Sequence, residues 1–137
     1  MKYILAVDFD GTLFTGSYPN RGEPVWSVIN KVKEFKNSPD VEIILWTCRD
    51  AGTLQEAIDR CLEVGIEFDA INNNGPSHGE YVTGTLKKNG HIFATRKIYA
   101  DIYVDDKSPG SIEHFLAMDV ENVLKLSGIK RKIKEST

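Results

Sequence analysis

Ala6-Val7-Asp8-Phe9-Asp10-Gly11-Thr12-Leu13-Phe14 is the stretch that decides how this chain folds. The run Tyr3-Ile4-Leu5-Ala6-Val7 leading into it is apolar throughout and long enough for a fully buried strand. It stops at Asp8 and Asp10, carboxylates one residue apart, and Gly11 and Thr12 follow at once. Two ionised acids at the mouth of a buried strand repel each other and lose hydration. A hard divalent cation resolves that conflict. Mg²⁺ takes carboxylate and carbonyl oxygens and keeps waters that a phosphate can replace. The stretch therefore reads as a metal-assisted phosphate site.

Outward from this stretch the chain alternates. Residues 12–22 are rich in Gly, Ser, Pro and Asn and read as a loop over the acids, where Tyr18 and Arg21 offer substrate contacts. Glu23-Pro24 then opens a helix, with Val25, Val28, Ile29, Val32 and Phe35 at helical spacing. Val41-Glu42-Ile43-Ile44-Leu45-Trp46 is a second buried strand, ending in Thr47-Cys48-Arg49-Asp50. Thr53 and Glu56 have the spacing of a capping box, before a helix that places Leu54, Ala57, Ile58, Cys61 and Leu62 on one face and stops at Gly65. Residues 66–71 read as a short third strand interrupted by Glu67 and Asp69.

The region 79–95 is a small hairpin or an irregular excursion around the turn signal Asn89-Gly90. Residues 98–104 form a further strand ending in Asp105-Asp106. Ser108-Pro109 starts another helix, carrying Ile112, Phe115 and Leu116. Residues 120–126 are apolar but of open type, and 128–137 read as a basic tail. Trp26 and Trp46 are expected in the core. His78, His91 and His114 lack ligand spacing.

Strands alternating with helices imply an α/β fold, a parallel sheet with helices on both faces. Ligands bind such sheets beyond the carboxyl ends of the strands. Asp8/Asp10, Thr47/Arg49 and Asp105/Asp106 each fall at such an end, so three polar clusters share one sheet edge.

At 137 residues a single domain, 1–137, is expected, with enough chain to bury a core without staples. The composition, 41% hydrophobic and 27% charged, is ordinary for a globular protein. A net charge of −3 argues against a surface that coats nucleic acid. Cys48 and Cys61 form no CxxC pair and read as reduced thiols. The first residues look like neither a secretory signal nor a membrane span, and a cytoplasmic location is the expectation.

In order, these elements resemble the haloacid dehalogenase (HAD) superfamily of phosphatases and phosphotransferases, in particular its short, cap-poor bacterial and phage members. Asp8-Phe9-Asp10-Gly11-Thr12 matches the first motif in full, and Ile43-Ile44-Leu45-Trp46-Thr47 matches the second. Lys97 stands at the third, with Arg96, Lys87 and Lys88 as neighbouring alternatives, and Asp105-Asp106 matches the fourth. The resemblance implies a three-layer Rossmann-like domain and an Mg²⁺-dependent phosphomonoesterase. Asp8 would be the nucleophile that forms an aspartyl-phosphate and Asp10 the general acid and base. It further implies that Asp8, Asp105 and the Asp10 backbone carbonyl hold the cation. Gly11, Thr47 and Lys97 would bind phosphate, with Asp106, Arg49 and Cys48 as further candidates.

Neither insertion point holds enough chain for a full cap domain. By the resemblance, an open site suits phosphorylated macromolecule ends, while a nucleotide or small metabolite stays open, as does the oligomeric state. A phosphotransferase of the same fold is the nearest alternative. A non-catalytic regulatory domain binding phosphate and Mg²⁺ is disfavoured by the order of the acidic motifs.

Overall fold

The computed structural model describes residues 2–16, 22–75, 86–88, 91–93 and 97–128. Tyr18, Arg21, His78, Arg96, residues 89–90 and all but the first residue of the 128–137 tail lie outside them. Strand β1 (Tyr3–Val7) and strand β2 (Val41–Leu45) are buried at all five positions; β1 is apolar throughout, and β2 is apolar but for Glu42, which is buried with its neighbours. Between them runs helix α1 (Trp26–Lys36), and after β2 comes helix α2 (Ala51–Glu63). Strand β3 (Ala70–Ile71) follows, then β4 (Leu86–Lys88), β5 (His91–Phe93) and β6 (Ile102–Val104). Helices α3 (Ser111–Ala117) and α4 (Val120–Leu126) complete the described order.

The main sheet is wholly parallel, in the order β3-β2-β1-β6. The α/β architecture is therefore present, and it is compatible with a Rossmann-like arrangement. β4 and β5 pair antiparallel as a separate ribbon, with Leu86 opposite Phe93 and Lys88 opposite His91. Within 79–95 the described residues form this antiparallel pair, which has the form of the hairpin alternative.

Alternation along the strands divides the core. Tyr3, Leu5 and Val7 share one cluster with Val41, Ile43 and Leu45 and with buried residues of every described helix, among them Phe35, Ala57, Phe115 and Leu124. Ring stacking of Tyr3 on Phe35 at 6.2 Å, and of Phe35 on Phe115 at 5.5 Å, runs from β1 through α1 to α3. Such pairs contribute about 0.5–1.5 kcal/mol each beyond their buried area. The opposite face, Ile4, Ala6 and Ile44, is covered by Ile98, with Trp46, Ala70, Ala100 and Tyr103 packed against it. Helices on both faces were expected. Among the described residues the helices pack on one face only, and irregular chain before β6 covers the other.

Two aspartates explain why β3 and β6 are shorter than their sequence patterns. The Asp69 backbone N–H donates to the Ile43 carbonyl at 2.8 Å while its carboxylate accepts the Ile43 N–H at 2.7 Å. Asp101 does the same with Ile4, at 2.8 and 2.7 Å. In each case a side chain satisfies a strand N–H where a neighbouring strand's carbonyl would otherwise serve. The predicted strand over 66–71 is thus reduced to its last two residues.

Other local expectations are corrected. Trp26 is 52% exposed and Leu62 51%, so neither belongs to the core. The Thr53 hydroxyl donates to the Asp50 carbonyl, α2 begins at Ala51, and the capping box does not form. Ala51 itself is left-handed, with φ 45°. For a residue with a Cβ that conformation costs about 1–2 kcal/mol. Ala51→Gly is expected to raise the urea-unfolding free energy by about 0.5–1 kcal/mol, because glycine's greater freedom in the unfolded chain offsets part of the relief. A clear loss of stability would contradict this reading. Among the described residues, no helix is long and apolar enough to cross a membrane.

Candidate active site

Parallel register assembles the sheet edge. Val7 pairs with Leu45 on one side and Val104 on the other, and Leu45 pairs with Ile71. The next residues along, Asp8, Trp46, Asp105 and Asn72, are therefore level. The Asp8 N–H donates to the Val104 carbonyl at 2.9 Å, and the Trp46 N–H to the Val7 carbonyl at 2.9 Å. Asn72, at φ 51°, turns the chain at the β3 tip, and its side-chain carbonyl accepts the Thr47 N–H at 2.8 Å. Asn tolerates this left-handed conformation better than most residues.

Asp8, Asp105 and Asp106 each present a carboxylate oxygen within 4.8 Å of the others. Thr12 ties the ends of β1 and β6 together. Its hydroxyl donates to Asp8 Oδ2 at 3.0 Å and accepts the Asp106 N–H at 3.1 Å. Ser111 holds the other flank, donating to the Tyr103 carbonyl at 2.8 Å and accepting the Asp105 N–H at 3.2 Å. Gly11, at φ 80°, lets the chain pass so close that a Cβ there would lie 2.3 Å from Asp106 Oδ2. Thr12 is the residue that sequence reasoning missed. It was read as part of the motif but given no task, although a hydroxyl four residues after a strand-end acid can reach back to it.

Crowding has an electrostatic consequence. Burial, then the Asp105 charge, push the Asp8 carboxyl up from its ordinary 3.8 to about 7; the Thr12 hydrogen bond opposes this and Asp106 adds to it. The folded protein then holds the Asp8 proton more tightly than the unfolded chain does. Asp8's contribution to metal-free stability is fully present below pH 4 and is lost as pH rises towards 7. In a chelator, the melting temperature should fall across that window, and Asp8→Asn should flatten the dependence. Equal slopes for both proteins would remove Asp8 as the cause. A donor set of hard, mutually repelling oxygens fits a hard divalent cation.

Asp10 faces elsewhere. Both its oxygens are taken by Arg49, Oδ2 by Nε at 2.8 Å and Oδ1 by Nη2 at 2.7 Å. Arg49, a further phosphate candidate by the resemblance, makes its two-pronged ion pair with Asp10. Its guanidinium lies 4.9 Å from the Phe9 ring centroid; Phe9 stacks on Phe14 at 5.0 Å, and Arg60 lies 4.9 Å over Phe14. This alternating stack anchors the start of the loop that follows the acids.

Thr47 stands at the β2 tip as expected, its hydroxyl accepting the Arg49 N–H at 3.2 Å. Cys48 beside it is exposed, while Cys61 is buried, its thiol pushed up to about 12, which leaves it inert. Lys97 is exposed, with its ammonium 5.9 Å from the Tyr103 ring centroid.

No protein-family model and no curated protein matches the chain. Among solved structures it is similar to the conserved protein coded by a locus of Bacteroides thetaiotaomicron, with 30% sequence identity over 96% of this chain and 93% of the other, at a TM-score of 0.63. The chain belongs to the same family as that protein. The Bacteroides thetaiotaomicron relative is described without an activity, so it extends the fold to a second member and leaves the chemistry to the residues at the sheet edge.

Proposed function

We propose that this protein is an Mg²⁺-dependent phosphomonoesterase of HAD type that works through an aspartyl-phosphate on Asp8. The observation that carries the reading is the carboxylate cluster Asp8, Asp105 and Asp106 at the end of a buried strand, with Thr12 bridging the Asp8 carboxylate and the Asp106 N–H. The ordered resemblance of four motifs supports it. The one-sided helix packing among the described residues means that the three-layer form of that superfamily belongs to the proposal and not to the observed fold.

Asp8, Asp105 and the Asp10 backbone carbonyl would hold the cation, with Asp106 beside them. The cation supplies the positive charge that keeps Asp8 ionised and offsets the phosphate dianion. Asp8 attacks phosphorus, the bond to the ester oxygen breaks, and Asp10 gives that oxygen a proton. A water then attacks the same phosphorus, Asp10 takes its proton, and the bond to Asp8 breaks, releasing inorganic phosphate. By the resemblance, the turn at Gly11 and the Thr47 hydroxyl would bind phosphate oxygens, although the Gly11 N–H itself is donated to the Phe14 carbonyl at 2.8 Å. Lys97 enters this scheme through the resemblance alone.

Turnover of p-nitrophenyl phosphate with Mg²⁺, abolished by a chelator and restored by Mg²⁺, is the expected result. A protein inert on a broad panel of phosphate esters, nucleotides and phosphorylated oligonucleotide ends included, would favour a binding role instead.

A further inference from the structure

We propose that Arg49 is the positioning residue of this site: it fixes the Asp10 carboxylate in the orientation used for proton transfer, as a fork that a point charge cannot replace. The inference rests on the phosphatase reading, which assigns proton transfer to Asp10. It stands on an asymmetry of burial. The Arg49 side chain is 2% exposed and that of Asp10 is 23% exposed. The guanidinium is thus enclosed, while the carboxylate it grips keeps a face open at the sheet edge. From there Arg49 faces Asp10 and not solvent, whereas Asp10 keeps a face that can meet a substrate.

Burying a guanidinium is costly unless its donors and its charge are answered. Here the donors are answered by Asp10 Oδ1 and Oδ2 and, at 3.3 Å, by the Thr53 carbonyl, and the guanidinium lies over Phe9. Two parallel bonds to two oxygens set the rotation of the carboxylate plane, which a single bond leaves free. The backbone adds to this, since the Arg49 N–H is held by Thr47 Oγ1 at 3.2 Å. The β2 tip thereby contributes to the acid–base group as well as to phosphate. Misplacement of a reacting group by about 1 Å can lower rates about 100-fold.

The test is the kinetics of Arg49→Lys on two esters, p-nitrophenyl phosphate and glycerol 2-phosphate, alone and in an Asp10→Asn background. Arg49→Lys should lower kcat about 10–100-fold with little change in KM. The loss should be greater for glycerol 2-phosphate, whose poor leaving oxygen depends more on a proton. In the Asp10→Asn background the same change should do nothing further. Phe9→Leu keeps every charge but removes the ring beneath the guanidinium. It should repeat the pattern at smaller amplitude, and it serves if Arg49→Lys does not melt cooperatively. A raised KM at constant kcat would overturn the proposal by making Arg49 a substrate contact. Equal losses on both esters, additive with Asp10→Asn, would overturn it by making the role structural. A wild-type protein inert on both esters would instead sink the phosphatase reading, and this inference with it.

Discussion

Asp8→Asn is expected to abolish phosphate-ester turnover, by at least about 1,000-fold, while raising metal-free stability at neutral pH. The two effects have one origin. Asp8 sits where burial and the Asp105 and Asp106 carboxylates all oppose its charge, which is why its carboxyl is pushed up to about 7. Asn keeps the shape and can still accept from the Thr12 hydroxyl, but it carries no charge into the cluster and is a far poorer nucleophile. The free energy that the folded protein spends on ionising Asp8 is released, and the covalent route is closed. Strain of this kind, held at a functional group and relieved by its removal, is the usual trade between stability and activity. Melting in chelator at pH 8 and stopped assays with Mg²⁺ measure both halves. Full turnover by Asp8→Asn would end the covalent mechanism, and a lower melting temperature would end the account of charge crowding.

Gly11→Ala should disable the cation site without touching any carboxylate. The new Cβ would lie 2.3 Å from Asp106 Oδ2 and 2.8 Å from its Cγ, closer than atoms can approach. The Asp106 carboxylate, short and exposed, has to move, and the cluster it shares with Asp8 and Asp105 opens. Displacing a group that shapes a metal site typically lowers affinity about 10–100-fold. Backbone strain at φ 80° adds about 1–2 kcal/mol. Gly110→Ala separates the two causes, because Gly110 has the same φ of 80° and nothing within 4 Å of its Cβ position. Titration calorimetry with Mg²⁺ should show weakened binding for Gly11→Ala and ordinary binding for Gly110→Ala. Equal affinities in the two variants would show that Asp106 takes no part in the site.

Much of the architecture was legible because burial and periodicity coincide. β1 and β2 are apolar at nearly every position and buried at all of them, so a pattern confined to neighbouring residues was enough. α1 was readable from Val28, Ile29, Val32 and Phe35, all buried as expected. Elements failed where a side chain took over a backbone task. Asp69 and Asp101 look like interruptions of a strand, yet each completes the hydrogen bonding of the strand beside it. Trp26 misled because size and apolarity describe a residue's preference, while its exposure depends on which neighbours arrive to cover it.

Acids at the ends of β1 and β6, Thr47 at the end of β2, and the meeting of these parallel strand ends at one edge were readable along the chain. That much follows from strand patterning, since side-chain character is a local property. How the acids divide follows from contacts between residues distant in the chain. Register set Asp8 level with Asp105, and the Thr12 hydroxyl that holds Asp8 reached the backbone of Asp106 across 94 positions of chain. The Arg49 fork, lying over Phe9, closes on Asp10, 39 positions away in the chain. Those partners are far apart in sequence, and an ion pair depends on distance and burial, which only the folded chain supplies.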